Sequence, residues 1–331
     1  MLQPLLLGVE IGGTKLQLGL GRGDGSLIAL SRLKIVPRNG ARGILDQIAK
    51  ELPTLLQRTD VCDQFPNAVG IGFGGPVDST RGTILRSHQV RGWDDFDLGG
   101  WARSELGIPL VAVENDADTA GLGESCFGAG VGLSPIFYIT IGSGIGGGLI
   151  LDGGIYRGSG MGAAEIGHLW IESGEEEPRQ LEDLASGWAI GSIARKLPAF
   201  RDRDPAEVDA EFIAAQARQG DPSARTILEQ ATRGLGTAIG HVVTLLAPRR
   251  IILGGGVSLI EDRLWLDPIR NWARRRVFPP FLDSFDIRTA KLGEDVVVHG
   301  ALALARDLIC SETDGNSNPE TRIVKPKGVA Q

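Results

Sequence analysis

The chain of 331 residues is 42% hydrophobic and 23% charged, which is typical of a soluble globular protein with room for two ordinary domains. Its net charge of -7 argues against nucleic acid as the main partner, because affinity for phosphate backbones comes from clustered lysine and arginine. Three scattered cysteines indicate a reducing compartment, and no apolar run approaches the ~20 residues that span a bilayer. Since no basic segment with a cleavage site opens the chain, we expect a cytoplasmic protein without membrane contact.

The first third of the chain predicts strand-turn-strand units followed by helices. Apolar strands over residues 5–9 and 16–20 flank a glycine turn, and residues 5–36 together predict a small meander. The elements expected next are a helix over 41–58, a strand over 68–73 with a glycine turn at 74–78, a helix over 99–106, a strand over 109–113 and a helix from Ala117. Alternation of this kind is typical of the α/β class.

Residues 139–168 repeat the opening pattern. A buried strand precedes Gly142-Ser143-Gly144, an apolar strand follows, and Asp152-Gly153 is a hairpin-type turn. Two such hairpins that face each other across a cleft could grip one polyphosphate with their bare amides. The glycine spacing up to Gly147 also matches the dinucleotide fingerprint, but that motif needs a helix directly afterwards, where this sequence predicts a strand.

The second half predicts mainly helices around one more strand with a glycine turn. Helices are expected over residues 180–197, 205–219, 222–246, 259–276 and 296–309, strands over 250–253 and 285–290, and a third glycine turn at 254–256. We predict two α/β domains with a cleft between them: residues 1–116 with about 296–310, and residues 117–295. The polar residues 311–331 predict a disordered tail.

Five polar residues are candidates for chemistry. Asn115 and Asp116 follow a buried strand, where ligands collect in α/β sheets; Asp116 is either a base for a substrate hydroxyl or part of a simple helix cap. Spacing alone leaves these two alternatives even, and the helix dipole favours the ionised form of Asp116. Glu165 and His168 lie three residues apart beside a glycine loop, which favours ligand binding in a cleft. Glu182 alone is typical of a solvated helix face.

Seven segments together resemble a known family. They are residues 8–15 (GVEIGGTK), 70–78 (GIGFGGPVD), 113–117 (VENDA), 142–148, 165–168 (EIGH), 181–187 and 251–258 (IILGGGVS). In this order, over about residues 5–310, they resemble the ROK family of sugar kinases within the actin/hexokinase-like ATPase superfamily. The resemblance implies a two-domain, actin-like (ribonuclease H-like) α/β fold with an interdomain cleft.

The resemblance also implies roles for individual residues. It makes Asp116 the general base on a sugar hydroxyl, and it gives Glu10 a role in placing Mg²⁺ through water. The implied sugar contacts are Gly75, Gln89, Asn115, Asp116, Glu165, His168 and Glu182. The implied ATP contacts are Gly12, Gly13, Thr14, Lys15, Thr140, Gly142, Ser143, Gly144, Gly254, Gly255 and Gly256. We therefore expect an ATP-dependent hexose kinase that acts as a homodimer, with glucose as the first choice of substrate.

The sequence departs from the family pattern in ways that affect the metal and the sugar. Many members carry a C-x-C-G-x-x-G-C zinc motif between His168 and Glu182, but this interval has no cysteine, so we expect no zinc. One of the acids at 175–177 would then orient His168. Gln89 stands where the family has asparagine, and Gly74 replaces a frequent proline, so fructose and N-acetylmannosamine stay open beside glucose.

Three further alternatives concern the class of function. Polyphosphate could be the phosphoryl donor, since some relatives without the zinc motif use it. A sugar sensor would bind the sugar without turnover, and a nicotinamide dehydrogenase would need a helix after Gly147. The DNA-binding arm of family repressors is not expected, because the chain starts at its first strand.

Overall fold

The first sheet and the helices around it come from the first third of the chain. In the computed structural model, the described residues are 3–57, 64–87, 89–160, 162–172 and 177–313. The elements up to the first sheet's last strand are β1 (Leu6–Ile11), β2 (Lys15–Gly21), β3 (Leu27–Lys34), α1 (Gly40–Gln57), β4 (Ala68–Phe73), β5 (Val77–Asp78), β6 (Thr83–Ile84), β7 (Phe96–Asp97), α2 (Leu98–Glu105) and β8 (Leu110–Asn115).

The second sheet follows a connecting helix. The remaining elements are α3 (Asp116–Phe127), β9 (Ile136–Ile141), β10 (Ile145–Leu151), β11 (Gly154–Ile155), β12 (Trp170–Ile171), β13 (Arg179–Gln180), α4 (Glu182–Ala185), α5 (Gly187–Lys196), α6 (Ala210–Gln219), α7 (Pro222–Leu246), β14 (Arg250–Gly254), α8 (Leu266–Arg274), β15 (Asp286–Thr289) and α9 (Val296–Thr313). The α/β class predicted from the sequence is confirmed.

The two large sheets are built on one plan. The strand orders are β3-β2-β1-β4-β8 and β11-β10-β9-β14-β15. In each sheet three antiparallel strands form a meander, and two more strands join it in parallel. A glycine turn connects the first two strands of both meanders, so the duplication inferred from the sequence is confirmed in the topology. Because β10 directly follows Gly144, the helix that a dinucleotide fingerprint requires does not form there.

The final helix, α9, packs at backbone distance against α3 and against the first sheet. Gly300 of α9 lies so close to α3 that a Cβ on it would come within 1.7 Å of the Thr119 carbonyl oxygen. A Cβ on Gly70 of β4 would likewise lie 2.0 Å from the Ala301 carbonyl oxygen. The final helix therefore packs on the first sheet, as expected, and only glycine at these positions permits the approach. The division into two domains at Asp116 stays a prediction.

Three predicted helices differ from the structure in their extent. The helix expected over 180–197 is two helices, because Ser186 adopts an extended conformation and its Oγ caps α5. The helix expected from 205 begins at Ala210, since Asp209 and not Asp204 caps it. The helix expected over 259–276 is shorter and begins at Leu266.

The C-terminal helix extends slightly beyond its predicted end. The tail expected from residue 311 overlaps α9, which ends at Thr313, and residues 314–331 lie outside the described residues. No helix within the described ranges is long and apolar enough to cross a membrane.

Candidate active site

The candidate site forms where three parallel strands of the first sheet end side by side. Ile11 of β1 pairs with Phe73 of β4, and Phe73 pairs with Asn115 of β8. The residues that follow the three strands therefore meet at one edge of the sheet. Gly74 donates its amide to the Ile11 carbonyl at 2.8 Å, and a Cβ on it would lie 3.3 Å from Asp116 Oδ2. Glycine at this position thus leaves room for the Asp116 carboxylate beside the first glycine turn.

Asn115 is the residue that caps the N-terminus of α3. Its Oδ1 accepts hydrogen bonds from the amides of Ala117 at 2.8 Å and Asp118 at 3.3 Å. Its Nδ2 donates to the Gly75 carbonyl at 3.1 Å, which ties β8 to the loop after β4. Because Asn115 performs the capping that the sequence left open, the carboxylate of Asp116 is not needed for it.

The Asp116 carboxyl has a pKa raised to about 7. Burial is the largest cause, and the charge of Glu10 raises the pKa further. The amides of Ala117 and of Asp116 itself lower it, whereas the charge of Glu165 raises it. The helix dipole was expected to favour the ionised form, but burial outweighs it. A carboxyl with this pKa can take up or release a proton near neutral pH, which is the property required of a general base.

Glu10 lies at the end of β1 and is also buried. Its Oε1 is 3.1 Å from Lys15 Nζ, and its Oε2 accepts a hydrogen bond from Gln17 Nε2 at 2.6 Å. Burial raises the pKa of Glu10, and the charge of Lys15 opposes that effect. Two neighbouring carboxylates, Glu10 and Asp116, are therefore compensated by one lysine, a charge balance that an added cation would improve.

The first glycine turn is partly covered by a side chain predicted to bind sugar. A Cβ on Gly13 would lie 1.2 Å from Gln89 Oε1, so the Gln89 amide occupies the space directly beside this turn. Gly12 closes the turn by donating its amide to the Lys15 carbonyl at 2.9 Å. Gln89 thus lies next to the predicted phosphate turn, and Thr14 lies within that turn.

The second glycine turn is held by Glu182. Its Oε2 accepts a hydrogen bond from the Ile145 amide at 2.8 Å, and a Cβ on Gly144 would lie 2.3 Å from the same oxygen. The Gly142 carbonyl accepts the Gly187 amide at 2.8 Å, which joins the turn to the start of α5. Glu182 is therefore more than a solvated helix residue, because it anchors the turn that carries Ser143.

The third glycine turn lies against the second. Gly254 pairs with Thr140 across β14 and β9. Gly255 has φ 83°, and a Cβ on it would lie 2.5 Å from the Ile141 carbonyl oxygen. A Cβ on Gly142 or Gly256 would meet no atom of the described residues within 4 Å. The tips of both turns therefore face open space, and their amides can approach a ligand closely.

Glu165 directly precedes a short 3₁₀ segment, Ile166–His168, that lies on β10 and ends at His168. A Cβ on Gly167 would lie 2.2 Å from the Ile145 carbonyl oxygen, so only glycine permits this contact. Both side chains are exposed, and the charge of Glu165 reaches Asp116. Ala164, directly before Glu165, has the left-handed φ of 64°. The 3₁₀ turn thus places Glu165 within electrostatic reach of the Asp116 carboxylate, with His168 three residues further along the chain.

The segment that lacks the zinc motif contributes two short antiparallel strands, β12 and β13, which pair with each other. Residues 173–176 lie outside the described residues, so two of the three acids at 175–177 expected to orient His168 fall there. Within the described ranges, no three His, Cys, Asp or Glu side chains are grouped to hold a metal ion. Mg²⁺ in proteins is usually bound by one or two carboxylates together with water and substrate oxygens.

Sequence reasoning missed a second group of charged residues beside Asp116. Glu114 accepts hydrogen bonds from Ser79 and Arg157, and Asp118 is buried within reach of the same charges. The available signal was the run of three acids in Glu114 to Asp118 at a buried strand-helix junction, which is unusual unless the charges are paired or functional.

Comparisons with known proteins agree with this architecture. A family model described as ROK family matches residues 6–308. A glucokinase of Thermotoga maritima is 30% identical over 317 residues, which cover 92% of this chain and 98% of that protein. A β-glucoside kinase of Listeria innocua is 30% identical over 75% of this chain and 81% of its own length.

A solved structure extends the agreement to the fold. The ROK family glucokinase from Streptomyces griseus, crystallised in complex with glucose and AMPPNP, is 32% identical, with a TM-score of 0.74 and coverage of 92% of this chain and 99% of that one. The predicted actin-like fold is confirmed by this likeness. On the family model, the relatives and the fold together, the chain belongs to the ROK family of sugar kinases.

Proposed function

We propose that the protein transfers the γ-phosphoryl group of ATP to a hydroxyl of a free hexose, with Asp116 as the general base. The observation that carries this proposal is the Asp116 carboxyl, whose pKa is raised to about 7 where three strand ends and a glycine turn meet. In this role the carboxylate accepts the proton of the attacking hydroxyl, whose oxygen forms the new bond to phosphorus. The bond from the γ-phosphorus to the bridging oxygen breaks, and ADP leaves.

The sugar would lie between the Asp116 carboxylate and the exposed pair Glu165 and His168. A carbohydrate needs several polar partners in a concave site, and the charge interaction of Glu165 with Asp116 supports this placement. The further sugar contacts we propose are Gly75, Gln89, Asn115 and Glu182. Asn115 and Glu182 also hold backbone in place, so their contribution combines sugar binding with support of the site.

The glycine turns would hold the nucleotide. Bare amides at tips that face open space suit an anionic ligand, and the turns at 12–15, 142–144 and 254–256 belong to the two matching sheets. Glu10 is a hard oxygen donor that fits Mg²⁺ through water, and the ion would neutralise charge on the phosphates. We propose no structural zinc, and elemental analysis of the purified protein should show well under one equivalent.

The test is sugar-phosphate formation measured over a panel of sugars, with ADP release as a second readout when ATP is the donor. Glucose, fructose, N-acetylmannosamine and a β-glucoside are the acceptors, with ATP and polyphosphate as alternative donors. We expect the highest kcat/KM with glucose and ATP. Sugar binding by calorimetry without sugar-phosphate formation from either donor would show a sensor and overturn the proposal. Light scattering of the same sample tests the expected homodimer.

A further inference from the structure

Glu114 is a buried acid that the proposed reaction does not use. It lies on β8, two residues before Asp116, and its side chain is only 5% exposed. Burying an ionised carboxylate is costly unless it is paired and hydrogen-bonded. The partners of this side chain therefore show what the protein gains from keeping it.

Those partners come from two distant segments. Ser79, in the turn between β5 and β6, donates its hydroxyl to Glu114 Oε2 at 2.6 Å. Arg157, just after β11, donates Nε to Oε1 at 2.7 Å and its Nη2 to the same oxygen. One buried carboxylate thus joins the first sheet, the β5–β6 turn and the segment after β11. Such charge-assisted bonds are shorter and about twice as strong as neutral ones.

Arg157 stands at the start of the loop that ends at Glu165. Gly158, Gly160 and Gly162 in that loop all have positive φ. These three glycines have more conformational freedom to lose on folding than any other residue, so ordering them is costly. The far end is fixed by backbone packing, since a Cβ on Gly147 would lie 2.3 Å from the Ala164 carbonyl oxygen. The pair of Arg157 with Glu114 fixes the near end.

The Arg157 guanidinium also lies within electrostatic reach of a second buried acid, Asp118. Asp118 is 5% exposed, and its Oδ1 has no hydrogen-bond partner among the described residues. Burial and the charge of Glu114 raise the pKa of Asp118, and the charge of Arg157 lowers it. Loss of Arg157 would therefore leave two acids buried together without their cation, and the loop would lose its anchor on β8.

We propose that Glu114 and Arg157 are positioning residues, which fix the loop from Gly158 to Glu165 on the strand that presents Asp116. The inference rests on the proposed function. In it, the ion pair holds the proposed sugar ligands at a fixed distance from the proposed base. Reactive groups displaced by about 1 Å lose up to a hundredfold in rate, so an anchor of this kind acts on catalysis without touching the substrate.

The test compares Arg157→Gln and Glu114→Gln with a matched control. In Arg157→Gln we expect KM for the sugar to rise about tenfold and kcat to fall about tenfold, while KM for ATP changes less than about threefold. Arg157→Lys should recover part of the loss, because it keeps the charge but not the two-point contact. The double variant should lose about as much activity as the more impaired single variant, because both single substitutions remove the same interaction.

The control is Arg250→Gln, which removes another partly buried ion pair. Arg250 binds both oxygens of Asp286 at 2.6 and 2.8 Å, at the β14–β15 edge. We expect it to lower the melting temperature as much as Arg157→Gln does and to leave both KM values unchanged. Equal kinetics for the Arg157→Gln and wild-type proteins, or equal rises in the two KM values, would overturn the inference. An inactive wild-type protein would instead overturn the proposed function.

Discussion

The buried carboxylates at the two ends of α3 differ in how completely they are hydrogen-bonded. At the C-terminal end, Glu124 is fully buried, and its oxygens accept three backbone amides, from Ala129 at 2.6 Å and from Lys291 and Leu292 at 2.8 Å each. At the N-terminal end, Asp118 has a buried oxygen without a partner within the described part of the chain. One helix thus carries a fully hydrogen-bonded acid near one end and an acid with an unsatisfied oxygen near the other.

The difference separates structural acids from chemical ones. Three amide donors hold an ionised carboxylate in place, so Glu124 ties α3 to the segment before α9 and adds stability. Asp116 and Asp118 have pKa values raised to about 7 and about 8, mainly by burial. Carboxyls kept in this condition reduce stability at neutral pH, and such a cost is typical of sites that bind or transfer protons. The predictions below test this division.

The largest effect is expected at Asp116. Asp116→Asn removes the proton acceptor with little change in shape, so kcat should fall about 10²- to 10⁴-fold. Sugar affinity measured by calorimetry should stay within about threefold, because the amide still makes hydrogen bonds. A variant that turns over at nearly the wild-type rate would remove Asp116 from the role of base.

Glu124→Gln should show the converse pattern. The amide nitrogen of glutamine would face a backbone donor, so the free energy of unfolding should fall by about 2–3 kcal/mol. Urea denaturation measures this change, and kcat of the folded variant should match the wild type. A loss of turnover with unchanged stability would contradict the division between the two ends of α3.

Asp118 makes stability depend on pH. Its folded pKa of about 8 lies above the unfolded value, so protonation stabilises the folded chain at low pH, and this contribution is lost as pH rises through 8. Asp118→Asn cannot titrate. The free energy of unfolding of this variant, relative to that of the wild type, should therefore rise by about 2 kcal/mol between pH 5 and pH 8.5. The full pKa shift would allow more, at about 1.4 kcal/mol per pH unit.

The control for that titration is Asp46→Asn. Asp46 is exposed and pairs with Arg42 along α1. Its difference from the wild type should be the same at both pH values. If Asp118→Asn behaves like this control in urea denaturation, then burial of Asp118 does not perturb its titration.

The rate should follow the ionisation of Asp116. Because the base must be deprotonated, kcat/KM should be highest above pH 7 and fall about tenfold per unit well below it. Stopped assays from pH 5.5 to 8.5 measure the profile. The low-pH limb should disappear in Asp116→Asn, and its persistence there would assign the limb to another group.

The smallest effect concerns the residue before Glu165. Ala164 has φ 64°, a conformation that costs a side chain about 1–2 kcal/mol and costs glycine nothing sterically. Ala164→Gly should raise the free energy of unfolding by about 0.5–1 kcal/mol after the entropy of glycine is counted. Ala247→Gly, at φ 46° after α7, is the matched control and should gain a similar amount. A loss in either variant would contradict the assigned strain.

The sequence predicted those parts of the site that depend on local pattern. The duplicated hairpins follow from apolar strands and glycine turns, and the order of motifs was enough for the family. Capping was harder, because an aspartate before a proline signals a helix start at Asp221 but only a turn at Asp204. Both have the same local sequence pattern, and the packing of the following residues decides between them.

Long-range pairings were outside the reach of the sequence. Glu114 and Arg157 are 43 residues apart, and nothing in their neighbourhoods marks them as partners. Gln89 was predicted from the resemblance alone, and its position beside Gly13 depends on how two loops cross. Such contacts are fixed by the assembled sheets, which a pattern of neighbouring residues does not encode.

The glycine contacts between α3 and α9 have a mechanical consequence. Gly123 and Gly300 place the two helices at van der Waals contact of their main chains, with no layer of side chains between them that could yield. A tilt of α9 would be passed on directly to α3, and with it to the aspartate at the first turn of α3. A methyl group added at Gly300 would therefore act as a wedge whose influence extends along the whole helix to the reacting hydroxyl.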